Sequence, residues 1–276
     1  MHQEIVTLRH VLKTAYRHGW LQYLPDLSEP YKTGGKISHR AWFSPEEYRK
    51  LYEASRQRAL KPKKRRWKWS CEQLHDYVLF MANTGLRPDE AARLEFRDVV
   101  IVDDDATDET ILEIEVRGKR GVGYCKSTTG AVRPFERLRD RLRPASITHQ
   151  TVMPTEDTKG RKTVPTDVKP ESTDLIFPIT HHELFNEILE EQGLKFDREG
   201  TRRTAYSLRH TYICLRLMEG ADIYQIAKNC RTSVEMIEKY YASHIKTSLD
   251  AAAINVRRSR NKKRVKEATR REHAEQ

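Results

Sequence analysis

The chain is short of the residues that would place it in several protein classes. It has four cysteines in 276 residues, Cys71, Cys125, Cys214 and Cys230, widely separated and without a CxxC pair. That spacing argues against a zinc ribbon or a disulfide framework. It suits a reducing compartment, and it leaves Cys214 and Cys230 to pack as small hydrophobes. Long apolar runs are missing too. The longest, Tyr77 to Ala82 (YVLFMA), is far shorter than the ~20 residues that cross a bilayer. The opening MHQEIVTLRH has no apolar signal core, so neither export nor a membrane partner is expected and a cytoplasmic location is. No acidic triad suited to holding a catalytic metal is visible, and the expectation is that no metal or other cofactor is used.

What is present is charge. Charged residues make up 33% of the chain and hydrophobic residues 37%, enough for a core under a very polar surface. The net charge is +11 and the sequence pI about 9.4. That balance favours a polyanionic partner, of which nucleic acid is the usual one. Lys61–Lys68 holds six basic residues in eight with Trp67 among them, and Arg257–Arg271 holds nine in fifteen. The first suits contact with a phosphate backbone, although a solvated loop has the same composition. The second reads as a basic tail.

Periodicity makes helices dominate. Ile5, Leu8, Val11, Leu12 and Ala15 predict a helix over 1–18, followed by a linker to about residue 40 with Pro25, Pro30 and Gly34–Gly35 as breakers. Ser44-Pro45-Glu46-Glu47 is a capping box with proline at the first helical position, predicting a helix to about Ala59. Further helices are expected from Ser70 with Gln73 through Ala82, from Pro88 to near Phe96, over Glu136–Leu142, Thr180–Gln192 and 207–219, from Asp222 to Asn229, and from a Thr232 cap to Tyr241. Residues 111–116 (ILEIEV) alternate as a strand. Segments 122–126 and 131–135 are expected to complete a small antiparallel sheet, with an acidic loop at Asp103–Glu109 before it. Pro144–Thr173 reads as a long loop. The expected fold is therefore mainly α with a small antiparallel three-stranded sheet (α+β).

Four stretches carry chemistry: Thr84-Gly-Leu-Arg87-Pro-Asp-Glu90; Arg117-Gly-Lys119-Arg120-Gly121; Tyr206-Ser-Leu-Arg209-His210-Thr211; and Thr232 to His244, which contains Tyr240-Tyr241. Arginine grips phosphate oxygens through a planar fork of donors, and a tyrosine hydroxyl can act as a covalent nucleophile. Each stretch alone has a plain reading: surface ion pairs for Arg87 and Arg209, a solvated turn for Lys119, a core side chain for Tyr241, a helix cap for Thr232, and packing for His210. In this order they resemble the tyrosine recombinase (phage integrase) family. Its members share an arginine in a TGLRxxE stretch, a lysine in a β-hairpin, an HxxR box followed by HT, a later His or Trp, and a nucleophilic tyrosine.

The resemblance covers roughly residues 41–250 and implies a role for each matching position. Arg87 matches the first catalytic arginine and Glu90 the acid that braces it. Lys119 matches the hairpin lysine, with Lys126 on the facing strand as its rival. Arg209 matches the second arginine. Tyr241 matches the nucleophile, because Thr232, nine residues before it, then aligns with the His or Trp position; Tyr240 is the alternative. Tyr206 and Thr232 stand where the family has histidine, or histidine or tryptophan, which places the chain in a divergent subgroup. Both can still hydrogen-bond a phosphate oxygen, although neither is a good base at neutral pH, since a tyrosine pKa is about 10.

The resemblance further implies a core-binding-domain remnant and linker at 1–40, a catalytic domain at 41–250 and a basic tail at 251–276. Double-stranded DNA is the implied partner, bound by a tetramer, with an accessory DNA-bending or directionality protein as a further expectation. The implied activity is site-specific recombination through a 3′-phosphotyrosyl intermediate. Two alternatives stay open: a DNA-binding protein with a degraded active site, which Tyr206 and Thr232 motivate, and a type IB topoisomerase-like enzyme, which shares the chemistry.

Overall fold

A computed structural model describes residues 2–26, 40–105, 108–118, 121–147, 155–156, 162–163 and 167–241. By backbone contacts the chain divides into Met1–Ser38 and His39–Gln276. The first unit contains helix α1 (His2–Arg17), which ends as the Trp20 ring stacks on His18 at 5.0 Å.

The second unit begins with α2 (Pro45–Leu60). Its start is the expected capping box: Ser44 Oγ accepts from Glu47 N at 3.2 Å, and the Glu47 carboxylate accepts from Ser44 N at 2.9 Å. Two orphan donors of the first turn are satisfied reciprocally. Helix α3 (Lys68–Thr84) packs on α2 and buries Leu74, Val78, Phe80 and Met81. It starts two residues before the predicted Ser70 cap, and Gln73, read as a capping residue, is instead buried against His181 at 2.5 Å. Gly85 ends α3 in a left-handed conformation, φ +66°, which glycine adopts without the Cβ penalty.

A short helix α4 (Pro88–Ala91) leads into a three-stranded antiparallel sheet of β1 (Val99–Asp104), β2 (Glu109–Gly118) and β3 (Gly121–Lys126), in that order. The class and size of the sheet match expectation, but one strand does not. Residues 131–135 are helical, and the third strand comes from the β-branched run Val99-Val100-Ile101-Val102 instead. Phe135 and Leu138 are both buried on α5 (Val132–Asp140), three residues apart on one helical face, and Pro134 sits in the first turn, where its missing N–H costs nothing. Within the acidic stretch 103–109, Asp103 and Asp104 end β1 and Glu109 begins β2, paired across the two strands. Half of the long loop predicted at 144–173 lies outside the described residues; at its start Arg143–Pro144 pairs with Asp167–Val168, and inside it Thr155–Glu156 pairs with Lys162–Thr163.

Helices α6 (His182–Glu191), α7 (Tyr206–Met218), α8 (Ile223–Asn229) and α9 (Val234–Tyr240) complete the unit. Two apolar clusters form the core. The larger surrounds α3 and includes Phe43, Leu51, Leu112, Ile114, Phe177, Leu189 and Leu208. The smaller joins α7, α8 and α9 through Tyr212, Ile213, Ile226, Cys230, Ile237 and Tyr241. Helix α7 spans both, and Ser207 to Cys214 are all buried. Its burial is what aims the first turn of α7 inward. Arg203 ties the segment before α2 to the chain entering α7: it donates to the carbonyls of Trp42, Leu194 and Phe196 and pairs with Glu47 at 2.6 Å. Asp76 on α3 is wholly buried and neutralised by Arg137 and Arg141. All four cysteines are buried thiols, as read for Cys214 and Cys230.

Candidate active site

Arg87 and Arg209 meet at the turn between α8 and α9. Arg209, on the buried first turn of α7, is 3% exposed. Its Nη1 donates to the Gly85 carbonyl at 2.6 Å and its Nη2 to the Cys230 carbonyl at 2.5 Å. Arg87 donates through Nη2 to the next carbonyl, that of Arg231, at 2.9 Å. Consecutive carbonyls therefore hold one guanidinium each. Glu90, 4% exposed, accepts from both the backbone N–H and the Nη1 of Arg87, at 2.9 and 2.6 Å. Burial works against the Arg87 charge, but Glu90 and then the nearby Tyr206 hydroxyl hold its pKa above the usual value.

The turn that presents those carbonyls is a Schellman stop. Arg231 N bonds Lys228 O at 3.0 Å and Thr232 N bonds Ala227 O at 2.9 Å, with Arg231 in the left-handed position at φ +50°. Glycine is usual there, and a non-glycine residue costs ~1–2 kcal/mol. The Arg231 side chain runs across Gly123 of β3, where a Cβ would lie 2.8 Å from its Cδ, and its guanidinium pairs with Glu90. Arg87 and Arg231 thus share one buried carboxylate while Arg209 is held by carbonyls alone, which leaves a net positive cluster suited to an anion. Sequence reasoning passed over Arg231. Its signal was local: a helix stop between Asn229 and the Thr232-Ser233 pair, without a glycine to take the left-handed position.

Tyr241 is the C-terminal cap residue of α9 and is 9% exposed. Its Oη lies 2.6 Å from Nδ1 of His210, the residue after Arg209, and the two rings are 5.4 Å apart. Burial pushes the Tyr241 pKa up, against the pull of Arg209. Burial, then Arg40 and Arg209, lower the His210 pKa to about 3, so the ring is neutral. Tyr240 faces elsewhere, with Arg40 4.6 Å above its ring and Lys239 at 5.5 Å.

The remaining sequence candidates fall as follows. Tyr206 is partly exposed at the start of α7, its ring 5.1 Å from His210. Thr232 follows Arg231 in the turn and makes no side-chain hydrogen bond among the described residues; Ser233, not Thr232, caps α9 by accepting from Met236 N at 3.3 Å. The cap shifts by one because the Thr232 N–H is committed to closing α8. Lys119 and His244 lie outside the described residues. Lys126 is engaged by Asp104 at 2.9 Å and Glu113 at 3.4 Å. Among the described residues no group of three or more His, Cys, Asp or Glu side chains is placed to hold a metal ion.

No protein-family model matches the chain, and no curated protein matches it. Solved structures do. The XerH site-specific recombinase bound to palindromic difH substrate, in a post-cleavage complex, is similar with a TM-score of 0.50 and 16% identity, over 84% of this chain and 57% of that one. This chain therefore spans less than two thirds of that recombinase. The Tn1549 transposon integrase in complex with circular intermediate DNA is similar with a TM-score of 0.50 and 14% identity, over 93% of this chain and 78% of that one. The same integrase in complex with transposon right end DNA gives 0.50 and 12%, over 87% and 73%. At these identities the likeness is one of fold, and the chain has the tyrosine recombinase catalytic-domain fold.

Proposed function

We propose that the chain cuts and rejoins double-stranded DNA at a specific site through a covalent 3′-phosphotyrosyl intermediate, with Tyr241 as nucleophile and Arg87 and Arg209 as the phosphate clamp. One observation carries the reading. Two arginines pinned on consecutive carbonyls adjoin a tyrosine whose hydroxyl is held by the residue next to one of them. Each guanidinium keeps N–H donors beyond its carbonyl bonds. Those donors can take the nonbridging oxygens whose charge grows in the transition state, and removing one such donor typically costs ~3–4 kcal/mol, or 10²–10³ in rate. Lys119 is the proposed proton donor to the departing 5′-oxygen. Thr232 and Tyr206 are proposed as phosphate contacts, and the tight Arg87–Glu90 pair favours Tyr206 as a support for Arg87.

The net charge of +11 supports DNA as the partner. So do Lys64, Arg65 and Arg66, exposed around Trp67. Residues 1–40 are proposed as a core-binding remnant and linker, 41–250 as the catalytic domain and 251–276 as a basic tail. A tetramer on DNA, an accessory DNA-bending or directionality protein, and a cytoplasmic location belong to the same proposal.

A nicked suicide duplex carrying the junction sequence beside the gene tests the reading. Wild-type protein should form a covalent adduct and Tyr241→Phe none. Adducts that persist in Tyr241→Phe and vanish in Tyr240→Phe would refute the assignment. Salt-sensitive binding with no adduct on any substrate would favour a binding protein with a degraded site, which the replacements at 206 and 232 motivate.

A further inference from the structure

The reading above leaves the tyrosine proton without a destination. Tyr206 and Thr232 do not supply one: the Tyr206 hydroxyl supports Arg87, and Thr232 lies in the helix stop. His210 is placed differently from both. It is buried on α7 between two aromatic rings, Tyr206 at 5.1 Å and Tyr241 at 5.4 Å. Its backbone position is fixed by Arg209 and Thr211 on either side. Arg209 is locked to two carbonyls, and Thr211 Oγ1 accepts from Phe43 N at 2.9 Å.

The ring is neutral in the free protein, so it carries one N–H and one acceptor nitrogen. Among the described residues Nδ1 is the acceptor in reach of Tyr241 Oη, at 2.6 Å. A buried phenol proton needs an acceptor. That assigns the Tyr241 proton to this hydrogen bond and the ring proton of His210 to Nε2.

We propose that His210 is the proton acceptor for Tyr241 in strand cleavage and its proton donor in rejoining, a catalytic role that rests on the recombinase reading above. As Tyr241 Oη bonds to phosphorus, its proton passes to His210 Nδ1. The P–O5′ bond breaks with its electron pair on the 5′-oxygen, which takes a proton from Lys119 or water. In rejoining, the 5′-hydroxyl attacks phosphorus as its proton returns to Lys119 or water, the P–Oη bond breaks, and the imidazolium returns its proton to Oη. The phosphodiester provides the trigger. In the free protein burial, then the Arg40 and Arg209 charges, oppose protonation of His210, and a phosphate anion seated on the arginines offsets the part due to charge.

Single-turnover adduct formation on the nicked suicide duplex, with the full chain, tests the proposal. His210→Asn keeps an acceptor near the Nδ1 position but cannot hold the proton, so it separates holding the tyrosine from deprotonating it. His210→Asn and His210→Ala should both slow adduct formation by roughly 10²–10⁴ with DNA binding retained. Added imidazole should restore part of the rate in His210→Ala and none in Tyr241→Phe, a rescue that loss of a purely structural contact would not show. A His210→Asn rate within about tenfold of wild type would overturn the proposal, since general acid–base catalysis contributes more than that. So would a slow His210→Ala that imidazole does not speed. If Tyr241→Phe itself forms adducts, the nucleophile assignment fails first; if wild type forms none on any substrate, the recombinase reading fails first, and each is told apart from a failure at His210.

Discussion

Replacing Gly85 with alanine tests how the end of α3 holds Arg209. Gly85 sits at φ +66°, and its carbonyl accepts from Arg209 Nη1 at 2.6 Å. A Cβ there would meet the Tyr212 ring, lying 2.8 Å from Cε1 and 3.0 Å from Cγ. The ring has little freedom to retreat. Tyr212 is 6% exposed, its hydroxyl accepts from Asn229 Nδ2 at 3.0 Å, and Asn229 is itself bonded to both backbone groups of Lys126. The left-handed backbone costs an alanine ~1–2 kcal/mol and the overpacked ring ~1–3, about 2–5 kcal/mol in total.

Gly220 is the control. Its φ is +82° but a Cβ there meets nothing within 4 Å, so Gly220→Ala should cost only the backbone part, ~1–2 kcal/mol. For a domain of this size ~2–4 °C of Tm is lost per kcal/mol, so Gly85→Ala should melt roughly 4–20 °C below wild type. Thermal melts of the two variants side by side give the comparison, followed by adduct assays at a temperature where both are folded. Gly85→Ala should lose activity beyond its unfolded fraction, because the carbonyl that orients Arg209 shifts. Equal losses of Tm in the two variants would refute the packing argument, and full activity in folded Gly85→Ala would refute the link to Arg209.

Three further outcomes follow from the same geometry. Ser233→Ala should destabilise the protein by ~1 kcal/mol in urea titration, and Thr232→Ala by less, because Ser233 is the residue that caps α9. Asp76→Ala should cost about 2–4 kcal/mol by the same measurement, reduced from the full buried-pair value because Arg137 is half-exposed and can regain solvent. Acid should destabilise the fold in part through His181. Burial lowers its pKa to about 4, below the ~6.5 of an unfolded histidine. The unfolded chain therefore binds a proton that the folded chain refuses, and stability falls as pH drops from about 6.5 towards 4. Melts of His181→Gln across that range should show a shallower fall, and an unchanged slope would remove His181 as the cause.

The local signals were legible wherever one residue's backbone chemistry decided the outcome. Ser44-Pro45-Glu47 reads as a helix start in any context, because the cap partners lie three residues apart. Asp222 likewise caps α8 through Gln225 N at 2.9 Å. Misreadings came where two structures competed for the same groups. Thr232 has the composition of a cap, but its N–H is spent closing the preceding helix, so the cap passes to Ser233. Residues 131–135 have apolar content fit for a strand, yet Ala131, Phe135 and Leu138 are buried in the main core in helical phase. The β-branched run at 99–102 pairs with 111–114 instead.

The candidate site divides the same way. Arg87, Arg209 and Tyr241 stand out in the sequence because they keep a recognisable order and spacing, and Glu90 follows Arg87 by three residues on one short helix. The partners of those side chains were invisible there. The groups that hold Arg209 are carbonyls 124 and 21 residues away in the chain, and no side-chain pattern announces a carbonyl. Arg231 joins the cluster only because α8 stops in a left-handed turn over Gly123. His210 reads as a packing residue until α9 swings Tyr241 onto its Nδ1. Spacing along the chain determined which functional groups this protein carries. Their shared charge, their exclusion of water and the destination of the tyrosine proton depend on separations across the core, and those were decided only when α3, α7 and the α8–α9 turn packed together.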